Sequence, residues 1–239
     1  MSVQEEIVAL MKKDSYDFED LVVLTRILRS EQGCPWDREQ DHHSVRVSLI
    51  EETYEVVEAV DNEDPVLLRE ELGDLLFQVM FHAQIEAEEG RFGIDGVVDD
   101  ICKKMIHRHP HVFGTVKVEN SEDVLKNWET IKTEEKQRNT LVEKLRAIPP
   151  MMPALMRATK VAKKTDDAEV STQALISCAE AEIDMLKGIE GMDGASAQEI
   201  IGGLLMTLCR LCGRFGIDAE LALSKETDSL IEKTAEKCK

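Results

Sequence analysis

Residues 49–58 read LIEETYEVVE, and residues 67–80 read LLREELGDLLFQVM. In both stretches apolar residues recur at three- and four-residue steps, the period of an α-helix and not of a strand. At about 100° per residue, Glu51, Glu55 and Glu58 share a narrow stripe, with Glu52 about a quarter-turn away. On the next helix Glu71 and Asp74 are three apart and lie on one face. The apolar run around Asp74 reads as core. Between the stretches, Asp64-Pro65 supplies an N-cap and a first-turn residue. Two antiparallel helices are therefore expected, with five acids facing one another.

A carboxylate buried without a partner is costly. The flanking sequence offers mainly Arg46 and Arg69 as counter-ions. A hard divalent cation between the helices resolves the repulsion. Oxygen ligands without interleaved His or Cys favour Mg²⁺, with Mn²⁺ as the alternative, over zinc or iron. The competing reading is a solvated acidic face on one helix and an ion pair on the other. Glu51, Glu52 and Glu55 alone would fit that reading; adding Glu71 and Asp74 favours the metal.

Outward from this hairpin the periodicity stays helical, over about 18–30, 44–62, 66–88, 94–108, 121–136, 154–164, 172–187, 197–215 and 218–237. Ser44 is the expected cap of the second helix. Gly33-Cys34-Pro35-Trp36-Asp37 breaks the first helix, and His109-Pro110 stops the fourth. The segment Ile148-Pro-Pro-Met-Met-Pro153 holds three of the six prolines and reads as a linker. The hexapeptide GRFGID occurs twice, at 90–95 and 213–218, and Gly73-Asp-Leu-Leu aligns with Gly202-Gly-Leu-Leu. The second half therefore reads as a copy of the first.

The chain has 239 residues and a net charge of −19, with 43 % hydrophobic and 4 % aromatic residues. That composition gives a real core and argues against a β-sandwich or barrel. The charge disfavours nonspecific binding of nucleic acid or anionic membranes. No apolar stretch matches a membrane span, and no secretory signal is recognised, so a cytoplasmic location is expected. The six cysteines then read as reduced thiols, and Cys209 and Cys212 as helix-packing residues. His107, His109 and His111 read as turn and packing residues, and His82 as a core histidine.

The pattern EExxE, fifteen residues, then ExxD resembles the signature of the MazG family of nucleoside triphosphate pyrophosphohydrolases, in the all-α NTP pyrophosphatase superfamily. GCPWD (33–37), EELGDLLFQVMFHAQ (70–84), RHPHVFG (108–114) and NWETIKTEEK (127–136) add to the resemblance, which is dense over 18–136. It implies tandem all-α four-helix modules, the second degenerate: a catalytic module at 1–147, the proline-rich linker at 148–153, and a structural module at 154–239. It also implies a homodimer in which Mg²⁺ grips a nucleoside triphosphate and water cleaves between the α and β phosphates, giving a monophosphate and pyrophosphate. By analogy Glu52, Glu55, Glu71 and Asp74 are metal ligands, and Glu51 a ligand or the base that orients water. Lys104 and Arg108, four apart on one helix, correspond to positions that touch the triphosphate. Trp128, with Lys132 one turn on, and Trp36 are candidates for contact with the nucleobase. The alternatives are a hydrolase of narrow specificity, of the dUTP, dCTP or phosphoribosyl-ATP type, or a helical scaffold without turnover.

In the register that aligns Gly73 with Gly202, Glu52 meets Ala181, Glu71 meets Ile200 and Asp74 meets Gly203. Glu51 and Glu55 keep acids, Glu180 and Asp184. The GRFGID register sets Thr227 opposite Lys104 and Ile231 opposite Arg108. The second module is expected to bind no metal.

Overall fold

A computed structural model describes residues 1–136, 140–166, 169–187 and 194–238. Among these, thirteen helices form and no strand does, in agreement with the all-α reading. The chain divides into two compact units, Met1–Trp128 and Glu129–Lys239. This division falls before the proline segment at 148–153. No single helix among the described residues is long and apolar enough to cross a membrane.

The first unit contains α1 (Val3–Met11), α2 (Phe18–Arg29), α3 (Pro35–Glu39), α4 (His42–Asp61), α5 (Pro65–Glu88), α6 (Ile94–Arg108) and α7 (Pro110–Phe113). The helix α8 (Ser121–Lys136) crosses the unit boundary. α4 packs along α5, and α2 and α6 also pack on α5. The cap of α4 is Asp41, not Ser44. The Asp41 carboxylate accepts the N–H groups of His43 and Ser44, each at 2.8 Å, while Ser44 Oγ accepts the Asp41 N–H at 2.9 Å. Ser44 thus closes the capping box from its third position, because the longer reach of an Asp at the helix entry satisfies two free donors at once. Asp64 caps α5 as expected, accepting from Val66 and Leu67, with Pro65 at the first position.

Val45, Phe81 and Ile85 form the buried cluster of this unit, flanked by Phe77. Arg29 locks it from the side. Its guanidinium lies over Phe81 at 4.9 Å, pairs with Glu88 at 2.8 Å, and donates to the carbonyls of Asp37 and Gln40. One buried cation therefore fixes α2, α3 and the end of α5 together. The apolar run around Asp74 is not core within the chain. Leu72, Leu76 and Val79 are exposed, as is Asp74, and full burial on α5 begins at Met80. Helix packing on α5 buries its C-terminal half and leaves the half that carries the acids open.

The second unit contains the end of α8, α9 (Leu141–Arg146), α10 (Ala154–Thr165), α11 (Thr172–Leu186), α12 (Gly194–Phe215) and α13 (Ala219–Lys237). α12 packs against both α10 and α11. Leu175 and Cys209 are fully buried there, and burial pushes the Cys209 thiol up from its usual range. The cysteines are free, and Cys209 and Cys212 pack in the helix as their spacing suggests.

Candidate functional site

The α4–α5 hairpin sets the geometry. Its connection is short: Asn62 N–H returns to the Glu58 carbonyl and Asp64 N–H to Ala59, with Glu63 in the left-handed region at φ 53°. The tight return holds the end of α4 against the start of α5. As a result, carboxylate oxygens of Glu52 and Glu55 on α4 and Glu71 on α5 all lie within 4.8 Å of one another. Glu52 and Glu71 are half-buried, and Glu55 is exposed.

The electrostatics match that convergence. Burial first, then a carboxyl–carboxyl hydrogen bond to Glu55, then the charges of Glu55, Asp74 and Glu71 raise the pKa of Glu52. Glu71 is raised in the same direction by burial, then by the charges of Glu55, Asp74 and Glu70. The charged neighbours acting on both groups are acids, so the repulsion expected from sequence is present. Asp74 belongs to this electrostatic cluster, although it is not one of the three residues whose oxygens converge. Glu51 is exposed and lies outside the convergent group. The donor set is entirely oxygen, half open to solvent and anionic. It suits a hard divalent cation that keeps some of its water.

The remaining candidates are distributed differently. Lys104 is exposed on α6, one turn before Arg108, which is buried. The Arg108 guanidinium lies over the Trp128 ring at 5.3 Å, so Arg108 and Trp128 meet each other. Trp36 is 63 % exposed on α3. Lys132 belongs to the second unit and pairs with Glu129 at 3.5 Å.

A polar network not anticipated from sequence links the other end of the hairpin. His42 Nδ1 and His82 Nδ1 are 2.7 Å apart, with the rings stacked at 5.0 Å. His42 Nε2 meets Glu86 at 2.6 Å, and Arg91 grips Glu86 at 2.5 and 2.9 Å. The Arg91 hydrogen bond is the chief reason that the Glu86 carboxyl is held down at about 2. His82, read as a core histidine, is half-buried and is tied to this network through His42. The two histidines are forty residues apart, and no local pattern announces the contact.

Residues 40–113 match the family model described as the MazG nucleotide pyrophosphohydrolase domain. The match includes the acids of the cluster as well as Lys104 and Arg108. The chain is similar to a nucleoside triphosphate pyrophosphohydrolase of Escherichia coli K12, 41 % identical over 214 residues, which covers 87 % of this chain and 81 % of that protein. It is also similar to the nucleoside triphosphate pyrophosphohydrolase/pyrophosphatase MazG of Thermotoga maritima, 37 % identical over 226 residues, 93 % of this chain and 86 % of that protein. A nucleoside triphosphate pyrophosphohydrolase of Mycobacterium tuberculosis is 41 % identical over 151 residues, 62 % of this chain and 45 % of that protein.

Proposed function

The chain belongs to the MazG family of nucleoside triphosphate pyrophosphohydrolases, and on that premise we propose that it hydrolyses nucleoside triphosphates between the α and β phosphates in a Mg²⁺-dependent reaction. The observation that carries this reading is the convergence of Glu52, Glu55 and Glu71 within 4.8 Å. Glu52, Glu55, Glu71 and Asp74 would hold the cation; Mn²⁺ fits the same donors. When bound, the cation neutralises the triphosphate and polarises the phosphoryl oxygens, which is most of what phosphoryl chemistry asks of a protein.

The chain's own groups supply the rest. Glu51, exposed beside Glu52 on α4, orients and deprotonates the attacking water. Lys104, exposed on α6, is available to the phosphates as a point charge. Arg108 and Trp128, held against each other, are assigned by the resemblance to the phosphates and to the nucleobase, respectively. Trp36, open to solvent, is a second surface for a base to stack on. Lys132, one turn after Trp128 on α8, is assigned to substrate by the resemblance.

We further propose a cytoplasmic homodimer. On α4 and α5 the apolar residues Val47, Ile50, Tyr54, Leu72, Leu76 and Val79 are exposed around the acids. Exposed apolar residues of this number on the helices that carry the chemistry are what an isologous partner covers. The second module, lacking three of the acids, is read as structural.

The test is a panel of ribo- and deoxyribonucleoside triphosphates with Mg²⁺, products resolved as pyrophosphate or phosphate. Monophosphate and pyrophosphate are expected in equal amounts. Release of diphosphate and phosphate removes the α–β cleavage, and no turnover on any substrate removes the activity.

A further inference from the structure

Outside the acidic centre, a cavity of the second unit has a volume of about 570 Å³ and is lined by residues of α8, α9 and α10 and the residues that follow α9. Five of its lining residues are lysines: Lys132, Lys144, Lys160, Lys163 and Lys164. Glu129 is the acidic residue among them. The apolar part of the lining is Ala147, Ile148 and Pro149, with Ile148 buried.

This concentration of positive charge is unusual in a chain with 29 basic and 48 acidic residues. Two local explanations cover part of it. Lys163 and Lys164 lie in the last turn of α10, where cations are favoured by the helix dipole. Lys132 pairs with Glu129 at 3.5 Å. Neither explains Lys160, one turn earlier on the same face, where like charges four apart repel. Lys144 lies in the last turn of α9, so the dipole accounts for its place on that helix, but not for its lining the same hollow as the lysines of α10. Lysines converging from three helices onto one concavity raise each other's electrostatic energy unless an anion sits among them.

We propose that this cavity of the second unit is a binding site for a polyphosphate group and that it needs no divalent cation. Ammonium groups on flexible stems bind phosphate as point charges, and several are needed to match the three or four charges of a di- or triphosphate. A cavity of about 570 Å³ lies within the size range of small-molecule sites. Its apolar wall leaves room for a nucleoside attached to the phosphates. A nucleic acid is disfavoured because the chain's net charge of −19 repels a long polyanion. The site is built from lysines and needs no metal, whereas the acidic centre repels a triphosphate unless a cation is bound. The two sites therefore separate experimentally, and this inference does not depend on the hydrolase reading.

Calorimetric titration of the full chain with inorganic tripolyphosphate in EDTA is the test. Stoichiometric binding is expected, weakening steeply with added salt. The Lys160→Gln/Lys163→Gln/Lys164→Gln variant should bind about 100-fold more weakly. Asp74→Asn, in the other unit, should bind as the wild type does. Circular dichroism checks that the triple variant keeps its helices, and Lys163→Gln alone should give an intermediate loss. ATP in the same buffer separates the two sources of the group. Tighter binding than tripolyphosphate assigns the site to a nucleotide, and equal binding assigns it to a free polyphosphate. No binding in EDTA, or unchanged binding in the lysine variants, overturns the proposal. A single-stranded oligonucleotide that binds more tightly than tripolyphosphate overturns the small-molecule assignment.

Discussion

The α4–α5 hairpin and the α11–α12 hairpin start from related sequence and end with opposite electrostatics. In the first, three carboxylates from both helices converge within 4.8 Å. In the second, Glu180 and Asp184 stay on the exposed face of α11, and Asp184 is taken by Lys187 at 2.6 Å. On α12, Ile200 and Gly203 stand where α5 has Glu71 and Asp74. At Gly203 a β-carbon would lie 2.7 Å from Glu182 Oε1. A neighbouring carboxylate thus occupies the space in which an aspartate side chain would begin. A packed helix pair is not itself a cation site; acids must come from both of its members.

The largest expected effect breaks or upholds that contrast directly. Asp74→Asn should lower pyrophosphate release by about 1,000-fold, since it removes charge the cation needs. Asp184→Asn, on the matching helix of the second pair, should leave it within about twofold. A thermal scan gives a readout free of turnover. Mg²⁺ should raise the midpoint of the wild type and of Asp184→Asn, and should leave Asp74→Asn nearly unmoved, because ligand bound to the native state alone stabilises it. Equal losses in the two variants would end the assignment of chemistry to the first hairpin.

A smaller effect distinguishes the hairpins by pH. All six histidines lie before residue 129. Burial, and then the charge of His42, lower the pKa of His82 below 6.5. The unfolded chain therefore takes up a proton first as pH falls through 6.5, and stability drops there. Glu86, held at about 2 beside Arg91, contributes stability above pH 4.5 that is lost as pH falls from 4.5 toward 2. The raised Glu52 and Glu71 act oppositely, because protonation relieves the cost of burying their charge and the repulsion from neighbouring acids. The difference between wild type and His82→Gln isolates the histidine. Between pH 7.5 and 5.5 the wild-type midpoint should fall by about 4 °C more than that of the variant. Parallel curves would remove His82 from the pH response.

Helices with several turns of pattern were legible in the sequence, and α5 and α6 fall within a residue of the bounds expected. Those left unread, α1, α3, α7 and α9, have nine residues or fewer, too few turns for a period to emerge. Capping boxes at Ser2 and Thr140 were their available signal. The acids of the site were legible because spacing along one helix fixes a face. The stacking of Arg108 on Trp128 was not, since twenty residues, a break and a short helix intervene. Exposure of the apolar run around Asp74 was also hidden: composition marks a surface to be covered, without saying whether the same chain covers it.

The smallest effect concerns the repeat that first linked the two halves. GRFGID is identical in both, yet it folds differently. α5 ends at Glu88, before the motif, and Gly90 takes the left-handed conformation at φ 68°. α12 runs on through Phe215, and there it is Gly216, the fourth residue of the motif, that has φ 68°. The partners of the arginine differ too: Arg91 grips Glu86, whereas Arg214 bonds Asp166 at 2.8 Å and the Val170 carbonyl. The surroundings, not the six residues, set where the helix stops. Alanine at matching positions should therefore act with opposite sign. Gly90→Ala forces a β-carbon into a left-handed site and should cost about 1 kcal/mol. Gly213→Ala lies inside α12, where its β-carbon would meet Lys163 Cγ at an ordinary 3.8 Å, and should stabilise by about 0.5 kcal/mol. Denaturant titration of both variants resolves the two signs, and a common sign would mean that the motif, and not its setting, decides the turn.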